Sequence, residues 1–128
     1  MKYLLDTHIL LWAAYDDSKL SQVAREIIQN EGNELLFSAA SIWEIAIKSS
    51  LGREDFSLNP ALFRRGLLDN GYSELAVTGA HATMTHTLAD IHKDPFDRML
   101  VAQSLSEGIA LISADKKVAA YSDTVILV

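Results

Sequence analysis

Five short apolar runs alternate with longer segments of helical character, and this alternation restricts the fold more than any other feature of the chain. The runs are Lys2–Leu5, Glu34–Phe37, Glu74–Val77, Ile109–Ser113 and Thr124–Val128. They are too short for helices and continuous enough to be buried on both faces as strands. Between them, Ser21–Asn30, Ala39–Leu51, Pro60–Asn70, Gly79–Leu88 and Pro95–Glu107 predict helices, with short ones after Thr7 and after Asp115. Such an order predicts an α/β domain with a mainly parallel sheet. A chain of 128 residues, 49% apolar and 22% charged, suits one domain with a packed core, spanning 1–128.

Helix boundaries are marked by local chemistry. Asp94-Pro95-Phe96-Asp97 offers an N-cap, a proline at the first helical position and an acid in the first turn. Gly108 follows Glu107 as a helix stop. Ser41 and Glu44 have capping-box spacing, although Ser38 is an equally good start for that helix. Gly52-Arg53-Glu54-Asp55 reads as a polar turn, and Asn59-Pro60 opens the next helix.

Several function classes are excluded early. With no cysteine there is no disulfide scaffold, thiolate zinc site or cysteine nucleophile. Asp6 interrupts the N-terminal apolar run, which is therefore no signal peptide, and no apolar stretch approaches a bilayer span. A soluble, cytoplasmic domain is the expectation. The net charge of −6, from 11 basic against 17 acidic residues, argues against nucleic acid unless some of the acids hold cations.

In an open parallel sheet, ligands sit beyond the carboxyl ends of the strands. Asp6 ends the first strand, and Asp115 follows the fourth. Glu44 lies in the first two turns of the helix after the second strand, and Asp97 in the first turn of the helix before the fourth. Singly, each has an ordinary reading. Asp6 ends a strand, Asp115 caps a helix, Asp97 favours the helix dipole and Glu44 pairs with Lys48 one turn on. Together they suggest more, because these strand ends carry acids and no glycine-rich phosphate loop. The Glu44 helix is apolar apart from a stripe of Ser41, Glu44 and Lys48, so its carboxylate must face solvent or a polar cleft. Acids gathered in a cleft suit Mg²⁺ or Mn²⁺.

Other candidates carry less. His81 and His86 are about 140° apart around a helix and make a poor ligand pair. His8 and His92, each close to an acid, are read as supporting or structural. Trp12, Trp43 and Phe96 are read as core residues. No serine-hydrolase elbow or nucleotide-binding loop is present.

At these residues the sequence resembles the PIN-domain family, specifically its VapC-type ribonuclease toxins. The resemblance runs through Tyr3–Trp12, Ser38–Lys48, His92–Gln103 and Leu111–Asp115, and so through most of the chain. It implies a three-layer PIN-like fold, with a mainly parallel central sheet flanked by helices. It places the family's acidic quartet on Asp6, Glu44, Asp97 and Asp115, as catalytic residues and metal ligands. Ser113 stands where the family more often has threonine and keeps the hydroxyl. Thr7 and Ser113 are expected to support the acids. Asp94, a fifth acid, is left among three roles: ligand, support of a ligand, or helix cap. The resemblance also implies a Mg²⁺-dependent endoribonuclease (Mn²⁺ as a substitute) that hydrolyses RNA with a metal-activated water. Further implications are a cognate antitoxin covering the active site, a homodimer and no membrane association. Arg98, Lys48 and Lys116 lie near the quartet in sequence and are expected to contact RNA phosphates.

Two rival readings fit parts of this pattern. A phosphate-receiving response-regulator domain needs an acidic pair before the first helix and an Asp at the third strand. Asp16-Asp17 lies too far downstream and Thr78-Gly79 follows that strand instead. The alternative kept is a catalytically inactive PIN-like interaction module, against which the intact acids argue.

Overall fold

The computed structural model describes residues 1–53 and 57–128. The polar turn expected at 52–55 therefore falls partly outside the described residues. Strands β1 (Lys2–Leu5), β2 (Glu34–Ser38), β3 (Ser73–Leu75), β4 (Ala110–Ser113) and β5 (Val125–Leu127) form one sheet in the order β3-β2-β1-β4-β5. Every pairing is parallel, with Tyr3 opposite Leu35 on one side and Ala110 on the other. β1 is central because its residues are apolar on both faces. Leu5 packs with Phe37 and Ile112, while Leu4 packs with Leu36 and Leu111.

Two helical layers cover those faces. The Leu5 face is closed by α1 (Thr7–Ala14), α2 (Gln22–Gln29), α3 (Ala39–Ser50) and α4 (Pro60–Asp69), through Ile9, Leu10, Ala24, Ile45, Phe63 and Leu67. The Leu4 face is closed by α6 (Pro95–Glu107) and α7 (Lys116–Ala119), through Leu100, Val101 and Val118. Helix α5 (Gly79–Met84) lies against α6. The result is the expected three-layer arrangement, with a sheet that is parallel throughout.

Two boundaries differ from expectation for local reasons. The third strand lies at 73–75 and not at 74–77. Its partner β2 runs out where Ser38 faces Leu75, because Ser38 turns to cap α3. Helix α5 stops at Met84 and a 3-10 turn follows over Thr85–Thr87. There the Thr85 and Thr87 hydroxyls donate to Ala82 O and Met84 O, competing with continued helix. The start of α3 is also settled: Ser38 Oγ accepts from Ala40 N–H, and Ser41 is buried inside the helix.

Other caps follow the sequence. Asp94 Oδ1 accepts from the amides of Phe96 and Asp97, with Pro95 at the first position of α6. At the other end of α6, Gly108 takes the left-handed conformation, φ 67° and ψ 34°. A capping box at α5 was not apparent in the sequence. Thr78 and His81 bond each other's amides, and buried His81 reaches Glu107 on α6 at 2.7 Å. Among the described residues no helix is long and apolar enough to cross a membrane.

At Gly108 an added Cβ meets no atom within 4 Å, so the strain of Gly108→Ala is confined to the backbone. This substitution should cost roughly 1–2 kcal/mol in denaturant unfolding, with the folded architecture unchanged.

Candidate functional site

The end of β1 passes directly into α1 through Asp6, which caps that helix by accepting from Ile9 N–H at 2.9 Å. Its amide donates to Ile112 O at 3.0 Å, which ties the cap to β4. Asp6 is buried, and burial raises its pKa above the ordinary aspartate value. Hydrogen bonds from the Ser113 hydroxyl and the Ile9 amide, and the nearby His8, oppose that shift, while Glu44 adds to it. Ser113 in turn accepts from Asp115 N–H at 3.0 Å. One hydroxyl thus bridges the acids that follow β1 and β4. Asp115 caps α7 through a bond from Lys117 N–H at 2.8 Å.

Helix α3 brings Glu44 from the other side of β1. Thr7 Oγ1 donates to Ser41 Oγ at 2.9 Å, which fixes α1 against α3 one turn before Glu44. The Glu44 side chain is almost wholly enclosed. Oε2 meets Lys48 Nζ at 2.5 Å, while Oε1 is buried with no hydrogen-bond partner among the described residues. An orphaned carboxylate oxygen is costly and indicates a missing partner. The helix is therefore turned with its polar stripe inward. Trp43, read as core, is instead 63% exposed and packs edge-on against Phe96, with ring centroids 5.2 Å apart. Orienting Glu44 into the cleft places its sequence neighbour outside.

Asp97 stands in the first turn of α6, where the other acids converge on it. Its pKa is pushed up to about 8, first by burial and then by the charges of Asp94, Asp6, Glu44 and Asp115. The other three acids singled out in the sequence, together with Asp94, thus lie within electrostatic reach of the Asp97 carboxyl. His92, read from the sequence as supporting or structural, stands beside two of these acids. Its Nε2 lies 2.9 Å from Asp97 Oδ2 and 3.2 Å from Asp115 Oδ2, and the three ligand-capable atoms lie within 4.8 Å of one another. The available sequence signal was its place two residues before the cap of α6.

The donor set fits a hard divalent cation. It is mostly carboxylate oxygen, it includes an orphaned oxygen on Glu44, and burial together with mutual repulsion holds a proton on Asp97 that a cation would replace. The basic residues differ in setting. Lys48 is engaged with Glu44. Arg98 donates to the carbonyls of Thr85 and Ala89 and to the Tyr121 hydroxyl. Lys116, on α7 directly after Asp115, is exposed.

The PIN domain family matches residues 3–123, a stretch that contains every residue of this cleft. The chain is a PIN domain. It is 23% identical over 118 residues to Ribonuclease VapC22 of Mycobacterium tuberculosis, covering 92% of this chain and 90% of that protein. Its backbone resembles a chain of the VapBC2 complex from Rickettsia felis bound to a promoter DNA fragment. That match has a TM-score of 0.72 and 14% identity, and covers 100% of this chain and 98% of the other. VapBC-1 from nontypeable Haemophilus influenzae gives a TM-score of 0.65 at 19% identity, covering 99% and 98%. At such identities the structural likenesses carry the fold alone.

The raised Asp97 pKa sets a pH dependence for this PIN domain without divalent cations. The native state keeps a proton that the unfolded chain releases, so stability falls as pH rises from about 4 to about 8. Asp97→Asn removes that loss. Thermal unfolding in EDTA should find the variant more stable than the parent at pH 8.5, by roughly 1 kcal/mol or more, and nearly equal to it at pH 4.

Proposed function

We propose that this PIN domain is a divalent-cation-dependent endoribonuclease of the VapC toxin type, using Mg²⁺ with Mn²⁺ as a substitute. The observation that carries the reading is the convergence of Asp6, Glu44 and Asp115 on Asp97 in one partly buried site of a PIN domain. The ribonuclease named among its relatives supports the substrate class.

Asp6, Asp97 and Asp115 are the residues that would hold the cation, with Glu44 beside them. Once bound, the cation supplies neutralisation of phosphate charge and acidification of water. The chain's own residues do the rest. Ser113 and the Ile9 amide hold Asp6 in one orientation, and the Lys117 amide does the same for Asp115. Lys48 occupies one oxygen of Glu44 and leaves Oε1 to orient the attacking water or accept its proton. Thr7 supports this by fixing Ser41 on the same helix. Asp94 serves as the cap that aims Asp97. Exposed Lys116 is the basic residue best placed to meet a substrate phosphate.

The VapBC complexes among the structural neighbours support an antitoxin partner; in the proposed assembly the antitoxin covers this cleft and the domain forms a homodimer. A cytoplasmic location agrees with an RNA substrate. The alternative of an inactive binding module has no observation in its favour, since each of the four acids is present.

Purified, antitoxin-free protein should cut total cellular RNA into discrete fragments with Mg²⁺ or Mn²⁺ and not with EDTA. Asp97→Asn should reduce cutting to background while circular dichroism remains that of the parent. Gel analysis of the RNA reads the outcome, and full activity in the folded variant would exclude the role given to Asp97.

Lys116→Ala should leave cleavage of saturating RNA nearly unchanged and raise KM by roughly 3–10-fold at low salt, with a smaller effect at high salt. Steady-state kinetics at two ionic strengths checks this.

A further inference from the structure

His92 makes contacts that the acids alone do not explain. Its Nε2 reaches Asp97 Oδ2 at 2.9 Å and Asp115 Oδ2 at 3.2 Å, joining α6 to the turn after β4. The other ring nitrogen, Nδ1, accepts from Asp94 N–H at 3.4 Å. A neutral imidazole that accepts at Nδ1 carries its hydrogen at Nε2. That hydrogen is shared between two carboxylates and aligned closely with neither, which leaves Nε2 without a regular hydrogen bond.

The backbone of His92 is held from behind. His92 N–H donates to Tyr121 Oη at 2.7 Å, and the Tyr121 hydroxyl donates back to His92 O at 3.2 Å. Arg98 Nη1 donates to Tyr121 Oη and Ala89 O, each at 3.0 Å, and Nη2 donates to Thr85 O at 3.0 Å. Arg98 and Tyr121 together tie the segment 85–92 to α6 and to the turn after α7.

We infer that His92 is a positioning residue for the cation site, its Nε2–H drawing Asp97 and Asp115 together before a cation arrives while Arg98 and Tyr121 fix the backbone that carries the ring. The inference rests on the cation-site reading given above. Asp97 and Asp115 crowd their oxygens around one point, and a donor between them offsets that crowding, so the cation meets ligands already gathered. Two other roles for the ring lead elsewhere. A direct ligand would need its hydrogen on Nδ1, where the Asp94 amide already points. A competitor for the carboxylates would have to leave before the cation bound, and its removal would tighten binding.

The test is calorimetric titration of Mn²⁺ into metal-free full-length protein, His92→Ala, His92→Gln and Tyr121→Phe, with pulsed electron paramagnetic resonance of the Mn²⁺-loaded parent. His92→Ala should bind Mn²⁺ roughly 10–100-fold more weakly. His92→Gln, which keeps an N–H donor, should recover most of the loss, and Tyr121→Phe should show a smaller loss in the same direction. The resonance should show no coupling from a directly bonded imidazole nitrogen. Unchanged or tighter binding in folded His92→Ala, or a directly bonded nitrogen in the parent, overturns the inference and leaves the cation site standing. Should His92→Ala fail to fold, undiminished affinity in Tyr121→Phe together with a loss in His92→Gln as severe as in an Asp115→Asn control overturns it. A parent that binds no Mn²⁺ overturns both this inference and the cation-site reading.

Discussion

Mutual repulsion among carboxylates is the interaction around which this molecule is arranged. Asp6, Glu44, Asp94 and Asp115 all raise the proton affinity of Asp97, which burial has already raised. Such a cluster opposes folding, and the surrounding structure must hold it together. Much of that restraint is backbone-directed. Asp6, Asp94 and Asp115 each cap a helix, so their side chains are held by amides that need acceptors in any case. The cluster is therefore tied to the starts of helices, and the apolar packing of both sheet faces fixes where those helices start.

The sheet order explains why the acids meet. β1 lies between β2 and β4, and parallel pairing delivers their carboxyl ends to one edge. Asp6 and Asp115 leave from adjacent strands, and α3 leaves β2 with Glu44 in its second turn. Only Asp97 comes from a helix that leads into a strand, and the Asp94 cap carries the task of aiming it.

Much of this was legible in the residues. Uninterrupted apolar runs revealed the strands, and Asp94-Pro95 and Gly108 marked both ends of α6 because a single residue's chemistry is enough to do so. What depended on distant contacts was hidden. The third strand shifted because its length is set by β2, where it pairs. Trp43 lies outside because the orientation of α3 follows from Glu44 entering the cleft, which apolar periodicity does not encode. His81, considered in the sequence only as a poor ligand partner for His86, owes its burial to Glu107 on another helix, a contact that local spacing does not record. His92 was read as supporting or structural without its partners, because the bridge from Asp97 to Asp115 joins two elements and no local pattern records it.

The distribution of the cleft along the chain also gives it an order in time. Asp6 follows the first strand, whereas Asp115 follows the fourth, and β4 is the strand that closes the second side of β1. As the ribosome extends the chain, β1 can pair with β2 early but keeps an open edge until residues beyond 110 emerge. Until then Ser113 cannot bridge to Asp6, and His92 has only one of its two carboxylates. Whatever chemistry the cleft performs is withheld from the growing chain and begins only after β4 has found its place.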